Sequence, residues 1–119
     1  MADYGFETLH THLDEGVLRV TIDAPPCNVI SGTMLDELHR LGRASRDDDS
    51  VRVIVIQSAD PDFFIAHFDV NVILTMPVED TPRRSSDLSP FHAMCAAFQE
   101  NPKPSLVKLA GRAGGGGCE

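Results

Sequence analysis

The segment of this sequence best suited to chemistry is a run of four glycines at residues 114–117, followed by Cys118 and Glu119. Glycine has no Cβ, so a ligand can approach its backbone N–H group closely, although ordering four glycines costs conformational entropy. Placed between a strand and a helix start, this glycine segment (residues 114–117) would aim its N–H groups at an anion or an oxyanion. The alternative interpretation is an unstructured tail.

The residues after the glycine segment narrow the choice of ligand. A Walker A loop requires Lys and then Ser or Thr at this point, whereas Cys118 and Glu119 follow here. A dinucleotide-binding fingerprint would instead stand beside the first strand. The carboxylate of Glu119 repels phosphate and suits a general acid or base beside a neutral ester or thioester. A phosphate-binding loop is therefore the weakest hypothesis.

Histidine and cysteine do not form a pattern typical of a metal site. His10 and His12 share one face of a predicted strand without a third ligand, which favours a solvent-facing edge. The cysteines are odd in number and far apart: Cys27, Cys95 and Cys118. Because CxxC motifs and Cys/His clusters are absent from the sequence, we expect neither a metal site nor a disulfide framework. Such thiols indicate a reducing, cytoplasmic location.

The first half of the sequence predicts a hairpin, a helix and a buried strand. Strands at 6–13 and 17–22 flank turn residues, and a pair of prolines ends the second strand. Ser31 is typical of a helix N-cap, and leucines at helical spacing follow it for about a dozen residues. Residues 51–57 are β-branched on both faces, which predicts a central and often parallel strand.

The second half predicts more loop than regular structure. We expect a loop over 60–69, a short helix over 70–74 and a mobile loop over 76–88. A helix beginning at Ser89-Pro90 follows over 89–101, and then a short strand over 105–110. Four apolar residues at helical spacing form one stripe of the longer helix: Phe91, Met94, Cys95 and Phe98.

Length and charge exclude several classes of protein. The 119 residues suffice for one domain, and 42% hydrophobic residues argue against wholesale disorder. A formal charge of −8 argues against a broad basic surface for nucleic acid or anionic lipid. No apolar stretch approaches the ~20 residues needed to span a bilayer, and the N-terminus lacks the pattern of a secretory signal. We expect a soluble protein without nucleic-acid or membrane partners.

Three segments resemble the enoyl-CoA hydratase/isomerase (crotonase) superfamily in their usual order. Residues 17–31 are similar to its strand, proline turn and helix entry, and Phe64-Ile-Ala-His-Phe-Asp-Val70 is similar to Phe-x-Ala-Gly-Ala-Asp-Leu. Residues 101–119 are similar to its Lys-Pro strand and Gly-Gly-Gly-x-Glu segment. The resemblance implies an α/β, crotonase-like (ClpP/crotonase) ββα spiral. Residues 1–119 would form one partial domain without the C-terminal half and the trimerisation helices.

The resemblance also implies an acyl-CoA site. Backbone N–H groups of Phe68 and Gly116 would form an oxyanion hole for a thioester enolate, and Glu119 would be the general acid/base that works with water. Coenzyme A contacts would come from Asn28, Val29, Ala66, His67, Phe68, Asp69, Val70 and Gly115. The resemblance implies no cofactor or metal, because the coenzyme A thioester is the substrate, and a full-length protein would form a homo-oligomer (trimer or hexamer).

The sequence departs from the family pattern in the same motifs. His67 replaces a glycine, for which a structural or exposed role is favoured over catalysis, and Phe68 is bulkier than the usual alanine. The second catalytic glutamate of the hydratases would follow Glu119, so we expect this chain to have little activity alone. A non-catalytic acyl-CoA-binding or assembly module is the alternative to an enzyme.

Overall fold

The computed structural model describes residues 4–74 and 89–119, so the predicted loop over 76–88 lies outside the described residues. Its elements, in order, are β1 (Leu9–Asp14), β2 (Val17–Ile22), α1 (Gly32–Asp47), β3 (Val53–Ser58), β4 (Phe63–Ile65), α2 (Val70–Leu74), α3 (Pro90–Gln99), β5 (Ser105–Val107), β6 (Arg112–Ala113) and a 3-10 turn (Gly115–Cys118).

A four-stranded sheet organises the described residues in the order β1-β2-β3-β5. β1 and β2 are antiparallel, and Glu15 and Gly16 join them with φ values of 49° and 84°. Two positive φ angles are what a type I′ hairpin turn requires, and this turn matches the twist of the strands. β3 is parallel to both β2 and β5, which confirms the prediction of a central parallel strand.

The core lies where α1 covers the sheet. Leu18, Val20 and Ile22 alternate along β2 and are fully buried, in one cluster with Met34 and Leu41 of α1. The Oγ atom of Ser31 accepts the Met34 N–H at 3.1 Å, so the predicted N-cap is confirmed, although the helix extends to 16 residues. The Oγ atom of Ser89 caps α3 in the same way.

The predicted ends of three strands were wrong, and one of these strands, β3, runs over Val53–Ser58 instead of 51–57. β1 begins at Leu9 instead of residue 6, because the buried carboxylate of Glu37 accepts the N–H groups of Glu7 and Thr8 at 2.5 and 2.9 Å. These residues therefore satisfy their donors on a helix side chain and not on a neighbouring strand. β5 ends at Val107 instead of residue 110.

β4 and β6 are parallel and form a second, two-stranded sheet. β4 leads into residues 66–69, which we call the Phe68 loop, and β6 leads into the glycine segment. Pairing of the two strands therefore brings together the two motifs that the sequence analysis singled out.

Candidate functional site

The backbone of the Phe68 loop is held by Ile30. The Ile30 N–H donates to the carbonyl of His67, and the Asp69 N–H donates to the carbonyl of Ile30, both at 2.9 Å. This is a parallel bridge between Ile30 and Phe68, in which the N–H of Phe68 itself points away from Ile30. Among residues 4–74 and 89–119, the Phe68 N–H has no acceptor.

Asn28 anchors the strand that leads into the Phe68 loop. Its Oδ1 accepts the Ala24 N–H at 2.8 Å, while its Nδ2 donates to Ser58 Oγ at 2.7 Å and to the Phe64 carbonyl at 2.9 Å. The side chain is 2% exposed, and the residue has a φ of 56°. Its observed role is thus structural, and the coenzyme A contacts expected at Asn28 and half-buried Val29 stay predictions.

The glycine segment is folded against the Phe68 loop. The Gly114 N–H donates to the Ile65 carbonyl at 3.1 Å. A Cβ on Gly114 would stand 2.6 Å from the Ala66 oxygen, and one on Gly117 would stand 2.5 Å from the Ile65 oxygen. Gly115 has a φ of 49°. Three of the four glycines are therefore required by close approach or by backbone conformation, in contrast to the alternative of an unstructured tail.

Gly116 presents the second predicted donor. Its N–H has no acceptor within the described part of the chain, although the neighbouring Gly117 N–H donates to the Gly114 carbonyl at 2.8 Å. A Cβ on Gly116 would stand 3.2 Å from Cε2 of Phe91 and 3.5 Å from Cδ1 of Ile30. Gly116 thus faces side chains, whereas Gly114 and Gly117 face the backbone.

An apolar cavity of about 540 Å³ lies beside the glycine segment. Gly116, Gly117, Cys118 and Glu119 line one side of it. The other walls come from α1, α3 and the sheet, and include Leu38, Ile56, Met94, Cys95, Phe98 and Val107. Of the predicted site residues, Gly116 and Glu119 line the cavity; outside its lining lie Asn28, Val29, Ala66, His67, Phe68, Asp69, Val70 and Gly115.

The charge of Glu119 reaches the cavity wall. Burial, and to a lesser extent the negative charge of Glu119, raises the pKa of the Cys95 thiol. The carboxylate of Glu119 itself is exposed. The Cys118 thiol donates to the Ala113 carbonyl at 3.1 Å.

Two of the histidines, His67 and His10, have local partners. His67 is exposed, and its Nδ1 lies 2.6 Å from the Phe68 carbonyl, while His10 Nε2 lies 3.1 Å from Asp23 Oδ2. In residues 4–74 and 89–119, no group of three or more His, Cys, Asp or Glu side chains is arranged to hold a metal ion. No helix within those ranges is long and apolar enough to cross a membrane.

A family model described as enoyl-CoA hydratase/isomerase matches residues 12–119. The chain belongs to the enoyl-CoA hydratase/isomerase family. It is 30% identical to the carnitinyl-CoA dehydratase of Escherichia coli (strain K12) over 115 residues, and 29% identical to that of Proteus mirabilis (strain HI4320) over 113 residues. Both matches cover 95% of this chain but 42% of the relative, so the chain spans less than half the length of these proteins.

A solved structure from Streptomyces avermitilis, described as a candidate enoyl-CoA hydratase, superposes with a TM-score of 0.82 at 41% identity. The match covers 95% of this chain and 42% of that one. The family and the crotonase-like α/β fold predicted from the sequence are thereby confirmed.

The sequence did not indicate two residues of the candidate site. Ile30, which bridges to Phe68, has no sequence signal beyond its apolar character. Phe91 was assigned only to an apolar helix stripe, yet its ring lies against both Phe68 and the glycine segment. A stripe identifies which helix face is buried, but not which distant loop that face meets.

Proposed function

We propose that this chain forms an acyl-CoA-binding site of an enoyl-CoA hydratase or isomerase, in which the N–H groups of Phe68 and Gly116 bind the thioester oxygen. The observation that carries the proposal is the close packing of the glycine segment on residues 65–67, which brings two loops with open N–H groups side by side. In this proposal, the acyl chain occupies the apolar cavity.

Backbone amides suit the stabilisation of an enolate. Negative charge develops on the thioester oxygen as the reaction proceeds, and fixed donors stabilise it without reorganising. The peptide unit that carries the Phe68 N–H also carries the His67 carbonyl, which accepts the Ile30 N–H at 2.9 Å. That hydrogen bond polarises the unit and strengthens its N–H as a donor. Removing one such donor typically lowers the rate by about 10²–10³-fold.

Glu119 supplies the proton chemistry in this proposal. In hydration, its carboxylate takes a proton from water while the water oxygen bonds to the β-carbon, and the C=C electrons move to the thioester oxygen. The α-carbon then takes that proton from the Glu119 carboxyl group as the enolate collapses to the thioester, which restores the carboxylate. A glutamate at the polar rim of an apolar cavity is suited to this step because water reaches it from outside.

The remaining parts of the proposal are carried over from the family resemblance. Coenzyme A would contact the Phe68 loop and, in addition, Val70, Gly115, Asn28 and Val29. Its acyl thioester would be the substrate, and no cofactor would be needed. The full-length protein would be a soluble, cytoplasmic homo-oligomer.

Amide-resolved NMR tests the binding step. We expect butyryl-CoA to shift the Phe68 and Gly116 amide signals of the 119-residue chain. Free coenzyme A, which lacks the thioester carbonyl, should leave the Gly116 signal unchanged. Butyryl-CoA that shifts neither amide contradicts the proposal.

A crotonyl-CoA hydration assay tests the catalytic step. We expect turnover far below that of a complete hydratase and a further loss of about 100-fold in Glu119→Gln. Glu100→Gln, a matched change outside the cavity lining, is the control. Turnover equal to a complete enzyme, or an unaffected Glu119→Gln variant, contradicts these expectations.

An exposed apolar strand supports a second candidate function, a non-catalytic assembly module. β5 is an edge strand of the described sheet, and Leu106, Val107 and Leu109 are 59%, 51% and 61% exposed. Such a surface favours a protein partner or self-association. Size-exclusion chromatography at two concentrations separates the cases, because a stable monomer at both contradicts self-association.

A further inference from the structure

Phe91, the second residue of α3, packs against both loops of the candidate site. Its ring meets the ring of Phe68 edge to face, with centroids 5.8 Å apart and planes at 87°. Two atoms of the same ring, Cε2 and Cζ, lie 3.2 and 3.4 Å from the point where a Cβ would stand on Gly116. One half-buried side chain therefore contacts both residues whose N–H groups are expected to bind the thioester oxygen.

We infer that Phe91 is a positioning residue that sets the separation of the Phe68 and Gly116 amides, an inference that rests on the function proposed above. Backbone hydrogen bonds join the Phe68 loop to Ile30 and Gly114 to Ile65, but among the described residues none joins Phe68 to Gly116. The ring of Phe91 lies against both of these residues. An aromatic ring has few torsions to lose, so it keeps this spacing at low entropic cost.

The contact also explains how the bulky Phe68 is accommodated. Its side chain packs on Phe91 at the edge of the core, outside the lining of the cavity. The Phe68 ring is thereby kept out of the space proposed for the acyl chain. A Cβ added to Gly116 would stand 3.2 Å from Cε2 of the Phe91 ring, so a side chain there would displace the ring.

Three variants of the 119-residue chain test the inference. Phe91→Leu keeps an apolar side chain but removes the ring, and Phe91→Tyr keeps the ring. Phe6→Leu is the matched control, since Phe6 is a half-buried aromatic residue that stacks on Tyr4, away from both loops. Each is titrated with butyryl-CoA while the Phe68 and Gly116 amide signals are recorded, and circular dichroism verifies the fold.

We expect Phe91→Leu to raise the Kd for butyryl-CoA by about 2- to 10-fold and to uncouple the amide shifts, so that one of them falls by at least half. Phe91→Tyr restores both shifts, and Phe6→Leu retains them. Wild-type shifts that persist in Phe91→Leu with a Kd within twofold overturn the inference while the proposed function stands. A wild-type chain in which butyryl-CoA shifts neither amide overturns both.

Discussion

The two loops of the candidate site are built by opposite means. The Phe68 loop is held by polar groups, through the buried amide of Asn28 and the backbone bridge to Ile30. The glycine segment is held by the absence of side chains, which lets its backbone lie against the oxygens of Ile65 and Ala66. The first loop should therefore fail when a hydrogen bond is removed, and the second when an atom is added.

The largest effect is expected at Asn28. Asn28→Ala leaves the Ala24 N–H and the Phe64 carbonyl without their partner and places alanine at a φ of 56°, so the free energy of unfolding should fall by about 3 kcal/mol. Asn28→Gly should recover about 1 kcal/mol of this, because glycine tolerates that φ. Urea denaturation measures both, with exposed Asn71→Ala as a control expected within about 0.5 kcal/mol of wild type.

Gly117→Ala adds the atom that the second loop excludes. The new Cβ would stand 2.5 Å from a backbone oxygen that cannot rotate aside, and we expect a loss of about 2 kcal/mol in the free energy of unfolding. Gly32→Ala, where the Cβ meets nothing within 4 Å, is the matched control and should stabilise α1 slightly. Equal stability of the two variants would show that the glycine segment does not need its close approach.

Gly116→Ala separates packing from binding. Here the added Cβ meets the end of the Phe91 ring at 3.2 Å, and a ring can shift by a few tenths of an ångström. The free energy of unfolding should fall by about 1 kcal/mol. The Gly116 amide should nevertheless lose its response to butyryl-CoA, because the displaced Phe91 ring no longer holds that amide in position. Urea denaturation measures the change in stability, and NMR titration measures the amide response. An unchanged amide response would contradict the proposed role of the Gly116 N–H.

The smallest effect concerns the charge at the cavity rim. Since burial and then Glu119 raise the pKa of Cys95, less thiolate is present and alkylation at pH 8 should be slow. Glu119→Gln removes the negative charge of Glu119 and therefore lowers the pKa of Cys95. Because burial still raises that pKa, alkylation should become faster by only about twofold. Iodoacetamide labelling followed by mass spectrometry, in a Cys27→Ser, Cys118→Ser background, measures the rate. Glu100→Gln should leave it unchanged; an equal gain there would point to net charge instead.

Local patterns predicted the elements well where local physics decides them. Ser31 and Ser89 were identified as N-caps because the capping hydrogen bond joins residues three apart. The β-branched residues of β3 predicted its central place, since both faces of such a strand must be covered. The family motifs located the Phe68 loop and the glycine segment, and the structure pairs the strands before them.

Contacts between distant residues could not be predicted in this way. Glu37 follows closely on the Ser31 N-cap, where the helix dipole favours an acid, but nothing in the sequence indicates that it is buried and holds residues about thirty positions away. Asn28 was predicted to lie near coenzyme A, which stays a prediction, but the sequence did not indicate that its buried side chain joins the Ala24 N–H to the Phe64 carbonyl. In both cases the residue type allows several partners, and only the folded chain selects one.

The bridge between Ile30 and Phe68 has a consequence for how such a protein can change over evolutionary time. The direction of the Phe68 amide is set by two main-chain hydrogen bonds, neither of which depends on the identity of the side chain at position 68. A smaller residue at position 68 would keep both hydrogen bonds and lose the ring contact with Phe91. The direction of this amide and its distance from Gly116 are therefore properties that mutation can change separately.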